Sequence, residues 1–510
     1  MKHLFFLLLL LQLLQANAQD NMPTYRPLFH FSTDSNWIND PNGLVYHNGQ
    51  YHLFCQYNPF GDKWGHMSWA HAVSNDLFHW QQQPLAIPEF TNPDGSTTMI
   101  FSGCAVADSL NTSGFGTAAQ PPLVAMYTAH IEKGGKVQSQ QQQLAYSTDD
   151  GKTWTRYAGN PVLDIKSTEF RDPKIFWYTP GKQWILVLAK PDEYKVRFYS
   201  SPDLKQWTYL SDFGGIGDIS EVWECPDITE VPVEGTAEKR WLLTLSAGHE
   251  VKGYRAMQYF TGVFNGKQFI ADQAPYPLYV DFGKDYYAGI TWNNIPAADG
   301  RVIMLGWAND WRYANDIPTK GFRGQYATPR VLQLRKKDNG QYRLLQWPVA
   351  ELDKQVKQSH TLPGFTVTSG EHPLYESVIP ALDISFDVTL PYATSAGIAL
   401  QQDSAHTTII SYNNATGNLE IDRSNAGLHN FSTLYTGLDT LHAPGLEKAS
   451  FRIVFDVCML EVFVNNGEYV LTDLVFPLQP QTGVVAFANK GTAAFSNIVV
   501  KEINKTVHER

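Results

Sequence analysis

Short runs that are apolar, or that alternate apolar with polar residues, recur along the chain. Tyr51-His52-Leu53-Phe54, residues 184–189 and residues 241–246 are examples, each bounded by Gly, Pro, Asn or Asp. A period of two between such breaks predicts β-strands, and almost no stretch after the N-terminus carries the 3.6-residue period of an amphipathic helix. One turn pattern comes back. Ser74-Asn75-Asp76-Leu77-Phe78-His79-Trp80 and Ser201-Pro202-Asp203-Leu204-Lys205-Gln206-Trp207 both read S-x-D-L-x-x-W, and residues 147–154 form a version one residue longer. Each follows an apolar strand and ends in tryptophan, as a turn of one repeated four-stranded unit would; three coincidental polar turns are the plain alternative. Such repeats predict a β-propeller, whose central funnel gathers side chains from several blades.

The pattern changes after Leu345. Residues 346–364 lack the blade turns and read as a linker or a short helix. Residues 365–503 return to alternating strands such as 451–455 and 460–464, followed by the hairpin signal Asn465-Asn466-Gly467. The fold class is therefore expected to be all-β: a propeller over 24–345, a linker, and a second unit over 365–503, a β-sandwich. The polar run 138–143 reads as a loop.

The N-terminus adds an expectation about export. A short positive start (Met1-Lys2-His3) precedes the apolar residues 4–14 and the small residues Ala16-Asn17-Ala18. The run is shorter than the ~20 residues that cross a bilayer. A cleaved secretory signal over 1–18 is expected, placing the protein outside the cell, or in the periplasm of a Gram-negative host. Four cysteines (Cys55, Cys104, Cys225, Cys458), all in apolar contexts, are too few for a disulfide framework in 510 residues and read as buried thiols. With 39 basic and 50 acidic residues the net charge is −11. No basic tract marks a nucleic-acid or anionic-membrane partner. Asn111, Asn414, Asn430 and Asn504 head N-x-[ST] sequons, which matter only in a glycosylating host.

Three acids stand in unusual company. Asp40 lies in Trp37-Ile38-Asn39-Asp40-Pro41-Asn42-Gly43, which alone would read as a turn. Asp172 follows Arg171 in Phe170-Arg171-Asp172-Pro173-Lys174, where the guanidinium could hold it ionised. Glu224, in Trp223-Glu224-Cys225-Pro226-Asp227, has apolar neighbours that favour the neutral form a general acid needs.

In this order, WINDPNG, FRDPKIF and WECPD resemble the three signatures of family 32 of the glycoside hydrolases, which holds invertases, inulinases, levanases and related fructosyltransferases. The likeness runs from Tyr25 to Leu332, supported by Phe54-Cys55-Gln56-Tyr57-Asn58-Pro59, Phe101-Ser102-Gly103, Asp285-Tyr286-Tyr287-Ala288 and Gly306-Trp307-Ala308-Asn309-Asp310-Trp311. Beyond it the match weakens to residues 460–467 and Val475-Phe476-Pro477. The resemblance implies a five-bladed propeller with a C-terminal sandwich. It also implies Asp40 as nucleophile, Glu224 as acid/base and Asp172 as transition-state stabiliser. Asn39, Gln56, Trp64, Ser102, Arg171 and Tyr286 or Tyr287 would complete a fructose pocket, while Trp307 and Trp311 could be core or site. Cys55, Cys104 and Phe322 depart from the residues usual at their places and could reshape that pocket.

No metal-ligand spacing and no phosphate loop is present, so neither metal nor cofactor is expected. The implied activity is exo-hydrolysis of inulin or levan, and of sucrose, by double displacement. Gly65-His66-Met67-Ser68-Trp69-Ala70-His71 and the ECPD form favour exo-inulinases and levanases. The rivals are an invertase or fructosyltransferase of the same family, an arabinan-cleaving furanosidase of another propeller family, and a sugar-binding protein on a decayed hydrolase scaffold. The last has no need of all three acids.

Overall fold

Strands form six sheets in the computed structural model, which describes residues 25–506 except 377–380, 403–404, 436 and 480–482. The expected signal at 1–18 lies outside the described residues. Five sheets are propeller blades, and the sixth, of eleven strands, is the C-terminal sandwich. The innermost strands of blades 1 to 5 are Asn36–His47, Thr97–Ala107, Arg171–Tyr178, Glu224–Pro232 and Tyr287–Thr291. They contact one another in a closed ring.

Strands that are apolar on both faces hold the blades together. In Gln183–Lys190, Ile185 and Val187 pack toward blade 4 with Ile228, Leu243 and Leu245. Leu186 and Leu188 pack toward blade 2 with Val124, Met126 and Leu144. A side-chain period of two thus lets one strand feed two cores. Full burial of each such side chain is worth ~1.5–3 kcal/mol.

The recurring S-x-D-L-x-x-W segment is one hydrogen-bonded turn used twice. Ser74 Oγ accepts from the N–H of Asp76 and Leu77, Asp76 Oδ1 accepts from Phe78 and His79, and Trp80 Nε1 donates to Leu77 O. Ser201 Oγ likewise accepts from Asp203 N, Asp203 Oδ1 from Lys205 N and Gln206 N, and Trp207 Nε1 donates to Leu204 O, while Trp154 Nε1 donates to Gly151 O in the longer version. Leu77 and Leu204 adopt the left-handed backbone (φ +69° and +66°) that Gly151 supplies in blade 2. Asp and Ser side chains replace the backbone bonds that the tight turn forgoes.

Two regions differ from their expected form. Residues 346–364 hold the short helix that is one of the two expected forms, but set between two strands and not in a free linker. Tyr342–Pro348 is the outer strand of blade 5, Ala350–Gln355 is a 3-10 helix, and Val356–Leu362 pairs with the long strand Gly483–Ile503 of the sandwich. No blade turn follows because the chain passes straight from the last blade strand into the next sheet. The polar run 138–143 belongs to the strand Lys136–Ser147, with Gln140 to Gln143 buried. Its amides are paired: Gln142 Nε2 donates to Phe170 O, and Gln142 Oε1 accepts from Thr128 Oγ1. Fully satisfied amides can sit inside a sheet, where composition alone reads a loop.

The sandwich docks through a seam of apolar and charged groups. Phe463, Val470 and Val454 join the core under blade 1, and Met459, Leu474 and Phe476 join that under blades 4 and 5. Buried Arg330 pairs with Asp281 at 2.8 Å and with Glu461 at 2.7 Å. His30 lies between Asp456 and Glu461 at 2.9 and 3.0 Å, and Arg423 holds Asp285 at 2.8 Å. The hairpin turn fits too: Asn465, Asn466 and Gly467 all have positive φ, and a Cβ on Gly467 would collide with the Gln346 carbonyl.

Candidate active site

Every inner strand carries a register shift at its start, on the same face of the ring. The irregularities fall at Ile38/Pro41, Ile100/Gly103, Arg171/Lys174, Glu224/Asp227 and Tyr287/Ile290. Bulges re-aim side chains and end local pairing. Here they cluster Asp40, Ser102, Asp172, Glu224 and Tyr287 at the top of the ring. Asp172, Cys225 and Ala288 occupy the left-handed region at φ +63°, +47° and +52°. For residues other than glycine this costs ~1–3 kcal/mol each, strain of a kind that concentrates at functional sites.

Asp40 is buried, with only neutral donors. Ser102 Oγ donates to its Oδ2 at 2.6 Å, Asn39 Nδ2 to Oδ1 at 3.1 Å, and the Cys225 thiol lies 3.5 Å from Oδ2. Burial pushes this carboxyl above its ordinary range. The bonds from Ser102 and Asn39 oppose the shift, and the charge of Glu224 adds to it. Asp172 is pushed up to about 7, by burial first and then by Glu224 and Asp40, against the pull of Arg171. Its Oδ2 accepts from Cys225 N at 2.9 Å, and its own N–H donates to Thr128 Oγ1.

Glu224 differs from both. Arg171 donates to Oε1 through Nε (3.2 Å) and Nη2 (3.0 Å), and the Tyr287 hydroxyl donates to Oε2 at 2.8 Å. Burial and the Glu224 charge hold that hydroxyl well above its ordinary titration range, so it remains a donor. The side chain of Glu224 is 23% exposed and meets the funnel. The apolar surroundings expected from Trp223 and Cys225 are absent. Trp223 is buried in the core of blades 3 and 4, donating to Asp218 O, and the Cys225 thiol turns to Asp40 and Asp172 at 3.5 and 3.7 Å. Neighbours along a strand face opposite sides, so they say little about the carboxylate between them.

Asn39 is held by Trp37 Nε1 at 2.7 Å. Gln56 donates to Ile100 O across blades 1 and 2, and Trp64 stands 42% exposed, edge-on to Phe101. Tyr286 is not brought to the funnel: its ring lies under Arg330 in the core toward the sandwich. Trp307 is fully buried and packs with Trp37 and Trp311. Cys55, Cys104 and Phe322 are buried scaffold residues, and all four cysteines are free thiols.

Residues that sequence reasoning passed over complete the cluster. Gln140 Oε1 accepts from Phe170 N and from Arg171 Nη1, Glu169 pairs with Arg171, and Tyr326 OH donates to Asp40 O. Gln140 could have been found by noticing that the polar run follows a Gly134-Gly135 turn and leads into an apolar strand. Below the acids the axis is filled. Lys174 pairs with Asp227 at 2.7 Å and donates to Thr291 O, and the void beneath Asp172 and Cys225 measures about 10 Å³. The funnel is blind. Two carboxylates at its base, one buried and one reaching solvent beside two donors, are a donor set able to attack and to protonate a bond between them.

Residues 30–348 match the model for the glycosyl hydrolases family 32 N-terminal domain, and residues 350–502 match that for the family 32 C-terminal domain. A levanase of Bacillus subtilis (strain 168) is 40% identical over 520 residues, covering 98% of this chain and 74% of that protein. The extracellular exo-inulinase inuE of Aspergillus ficuum is 38% identical over 497 residues, 91% of each chain. The crystal structure of exo-inulinase from Aspergillus awamori superposes with a TM-score of 0.86 at 31% identity, covering 95% of this chain and 99% of that one.

Proposed function

Because the chain belongs to family 32 of the glycoside hydrolases, we propose that this glycosidase releases terminal fructose from inulin- or levan-type fructans, and from sucrose, with retention of configuration. The observation that carries the reading is the cluster of Asp40, Asp172 and Glu224 at the starts of the inner strands, above an axis filled by Lys174 and Asp227. With the axis filled, a chain cannot thread through the ring, and a terminal unit reaches the acids from the top. The names of the levanase and exo-inulinase relatives support the substrate class, and the extracellular exo-inulinase supports export.

In this mechanism Asp40 attacks the anomeric carbon, and Glu224 protonates the departing glycosidic oxygen. The bond to the leaving group breaks as the fructosyl ester forms. Glu224 then removes a proton from water, which hydrolyses the ester and restores both carboxyl groups. Arg171 and Tyr287 fix the Glu224 carboxyl from two sides, leaving its proton to be exchanged toward the funnel. Asp172 accepts hydrogen bonds from sugar hydroxyls as positive charge develops on the ring. Asn39, Gln56, Ser102 and Trp64 shape the fructose pocket.

The test is to incubate the protein with sucrose, inulin, levan and arabinan and to chromatograph products over time. Fructose as the first and only small product from inulin or levan supports the reading. Fructo-oligosaccharides appearing first, or activity on sucrose alone, would overturn its exo-fructanase part.

A further inference from the structure

The glutamines of the strand Lys136–Ser147 alternate between its two faces. On one face Gln143 Oε1 accepts from Tyr127 OH. On the other, Gln140 and Gln142 stand directly across from His130 and Thr128 of the neighbouring strand Leu123–Lys133. Each of these pairs is a rung closed by one hydrogen bond. Gln140 Nε2 donates to His130 Nδ1 at 3.2 Å, and Thr128 Oγ1 donates to Gln142 Oε1 at 2.9 Å.

Both rungs end on the same three residues of blade 3. The register shift between Arg171 and Lys174 interrupts sheet pairing there, so nearby backbone groups need partners from outside their own sheet. Phe170 N donates to Gln140 Oε1 at 2.8 Å, Gln142 Nε2 donates to Phe170 O at 2.8 Å, and Asp172 N donates to Thr128 Oγ1 at 3.0 Å. The Thr128–Gln142 rung thus holds Asp172 in its left-handed conformation. The His130–Gln140 rung reaches a different acid. Gln140 Oε1 also accepts from Arg171 Nη1 at 3.3 Å, and Arg171 grips Glu224 through Nε and Nη2.

Gln140 can serve Arg171 in one orientation only. A flipped amide would set its NH2 against the Phe170 N–H and the guanidinium, donor against donor. His130 opposes the flip, because its Nδ1 accepts the amide hydrogen. Burial, and then the charge of Arg171, hold this ring down at about 4, so it is neutral, with its proton on Nε2. The ring is fixed in turn by stacking on Phe101, 4.2 Å between centroids and 10° between planes.

We propose that His130 and Gln140 form a positioning rung that aims Arg171, and through it the Glu224 carboxyl, at the departing glycosidic oxygen. The inference deepens the function proposed above and rests on Glu224 being its acid/base. Glu169 holds the same Arg171 nitrogen, so losing the rung loosens the guanidinium without freeing it.

The leaving group separates the two rungs. Sucrose and inulin need the departing oxygen protonated, whereas a nitrophenyl fructoside hardly does. His130→Phe keeps a stacking ring and removes the acceptor. It should lower kcat/KM about tenfold on sucrose or inulin and no more than about twofold on the nitrophenyl fructoside. His130→Asn, whose amide oxygen falls near the place of Nδ1, should recover most of the loss. Thr128→Val should lower both substrates alike, since charge develops on the sugar ring whichever group departs. Gln140→Met breaks the first rung from the other strand and takes the place of His130→Phe if that variant does not fold. An equal loss on both substrates, or no loss, in the folded variants of the first rung overturns the inference, as does a His130→Asn protein no better than His130→Phe. Glu224→Ala is the reference. If it shows no difference between leaving groups, the acid assignment fails and the inference with it; a difference in Glu224→Ala alone defeats only the rung.

Discussion

The funnel and the seam beneath the sandwich both bury carboxylates, yet they treat them differently. In the seam Asp456 and Glu461 each have a cation and at least one backbone donor. Asp456 accepts from the N–H groups of Leu28, Phe29 and His30 and faces the His30 ring. Glu461 holds both Arg330 and His30. For Glu461 and His30 the opposite charges outweigh burial, holding Glu461 down at about 2 and His30 up at about 9, whereas Asp281, buried beside Arg330, stays above the ordinary carboxylate range. In the funnel three acids share one guanidinium, which binds Glu224 and Glu169 closely and reaches Asp172 at 4.0 Å. Asp40 and Asp172 are left above the ordinary carboxylate range. Compensated charge fixes two domains together; charge left uncompensated in a place open to substrate is strain available for chemistry.

The sharpest way to break this comparison is to remove one acid from each region. Asp40→Asn should lower kcat by about 10⁴–10⁶-fold, as loss of a nucleophile does, with no loss of melting temperature, since the acid it replaces is poorly stabilised. Parallel kinetics and thermal melts check it; a melt many degrees lower would make Asp40 structural. On the seam side, Arg330→Met strands Asp281 and Glu461 and should cost ~3–5 kcal/mol, seen as a lower denaturant midpoint with sucrose turnover per folded molecule retained. Ending the chain at Gly364 removes Asp456, Glu461 and Thr472 together and should leave an insoluble propeller. A soluble, fully active fragment would show that the seam is not needed.

A smaller effect sharpens the funnel side. Ser102→Ala deletes a hydrogen bond that holds the Asp40 carboxyl down. The acidic limb of kcat/KM should move to higher pH, with about tenfold loss on that limb and little change near its plateau, as bonds to charged groups are worth ~1.5–3 kcal/mol. An unmoved limb would detach Ser102 from Asp40.

The smallest effects lie in stability against pH, where charged His30 and Glu461 of the seam add stability and charged Asp172 of the funnel takes it away. His30 has a raised folded value, so its contribution is complete below 6.5 and is lost as pH rises through about 9. Glu461 has a lowered one, so its contribution is complete above 4.5 and is lost as pH falls toward 2. Asp172 is an acid with a raised folded value, so it costs stability as pH rises from 3.8 through about 7. Asp172→Asn should therefore flatten the melting profile between pH 4 and 7, and His30→Gln should flatten it between 6.5 and 9. Profiles unchanged by both substitutions would contradict the pairing described.

The strand repeat, the Trp-closed turns and the hairpin at residues 465–467 were legible because each is local: a period of two, or a turn residue at a fixed offset. Asp40, Asp172 and Glu224 stood out through their motifs. Their surroundings did not, because what surrounds Glu224 is Arg171 and Tyr287 from neighbouring blades, not Trp223 and Cys225 beside it in the chain. The same limit hid Gln140, whose burial is made tolerable by partners 10 to 31 residues away. Tyr286 and Tyr287 could not be told apart until the strand assigned one to the core and the other to the funnel.

The different treatment of Asp40 and Glu224 is tested most directly by azide rescue with an activated fructoside, reading the anomeric configuration of the fructosyl azide. In Glu224→Ala the nucleophile is intact, so azide should intercept the ester and give product with retained configuration. In Asp40→Ala azide should enter the vacated space and give inverted product. Inverted azide from Glu224→Ala, or retained azide from Asp40→Ala, would contradict the assignment of nucleophile and acid/base.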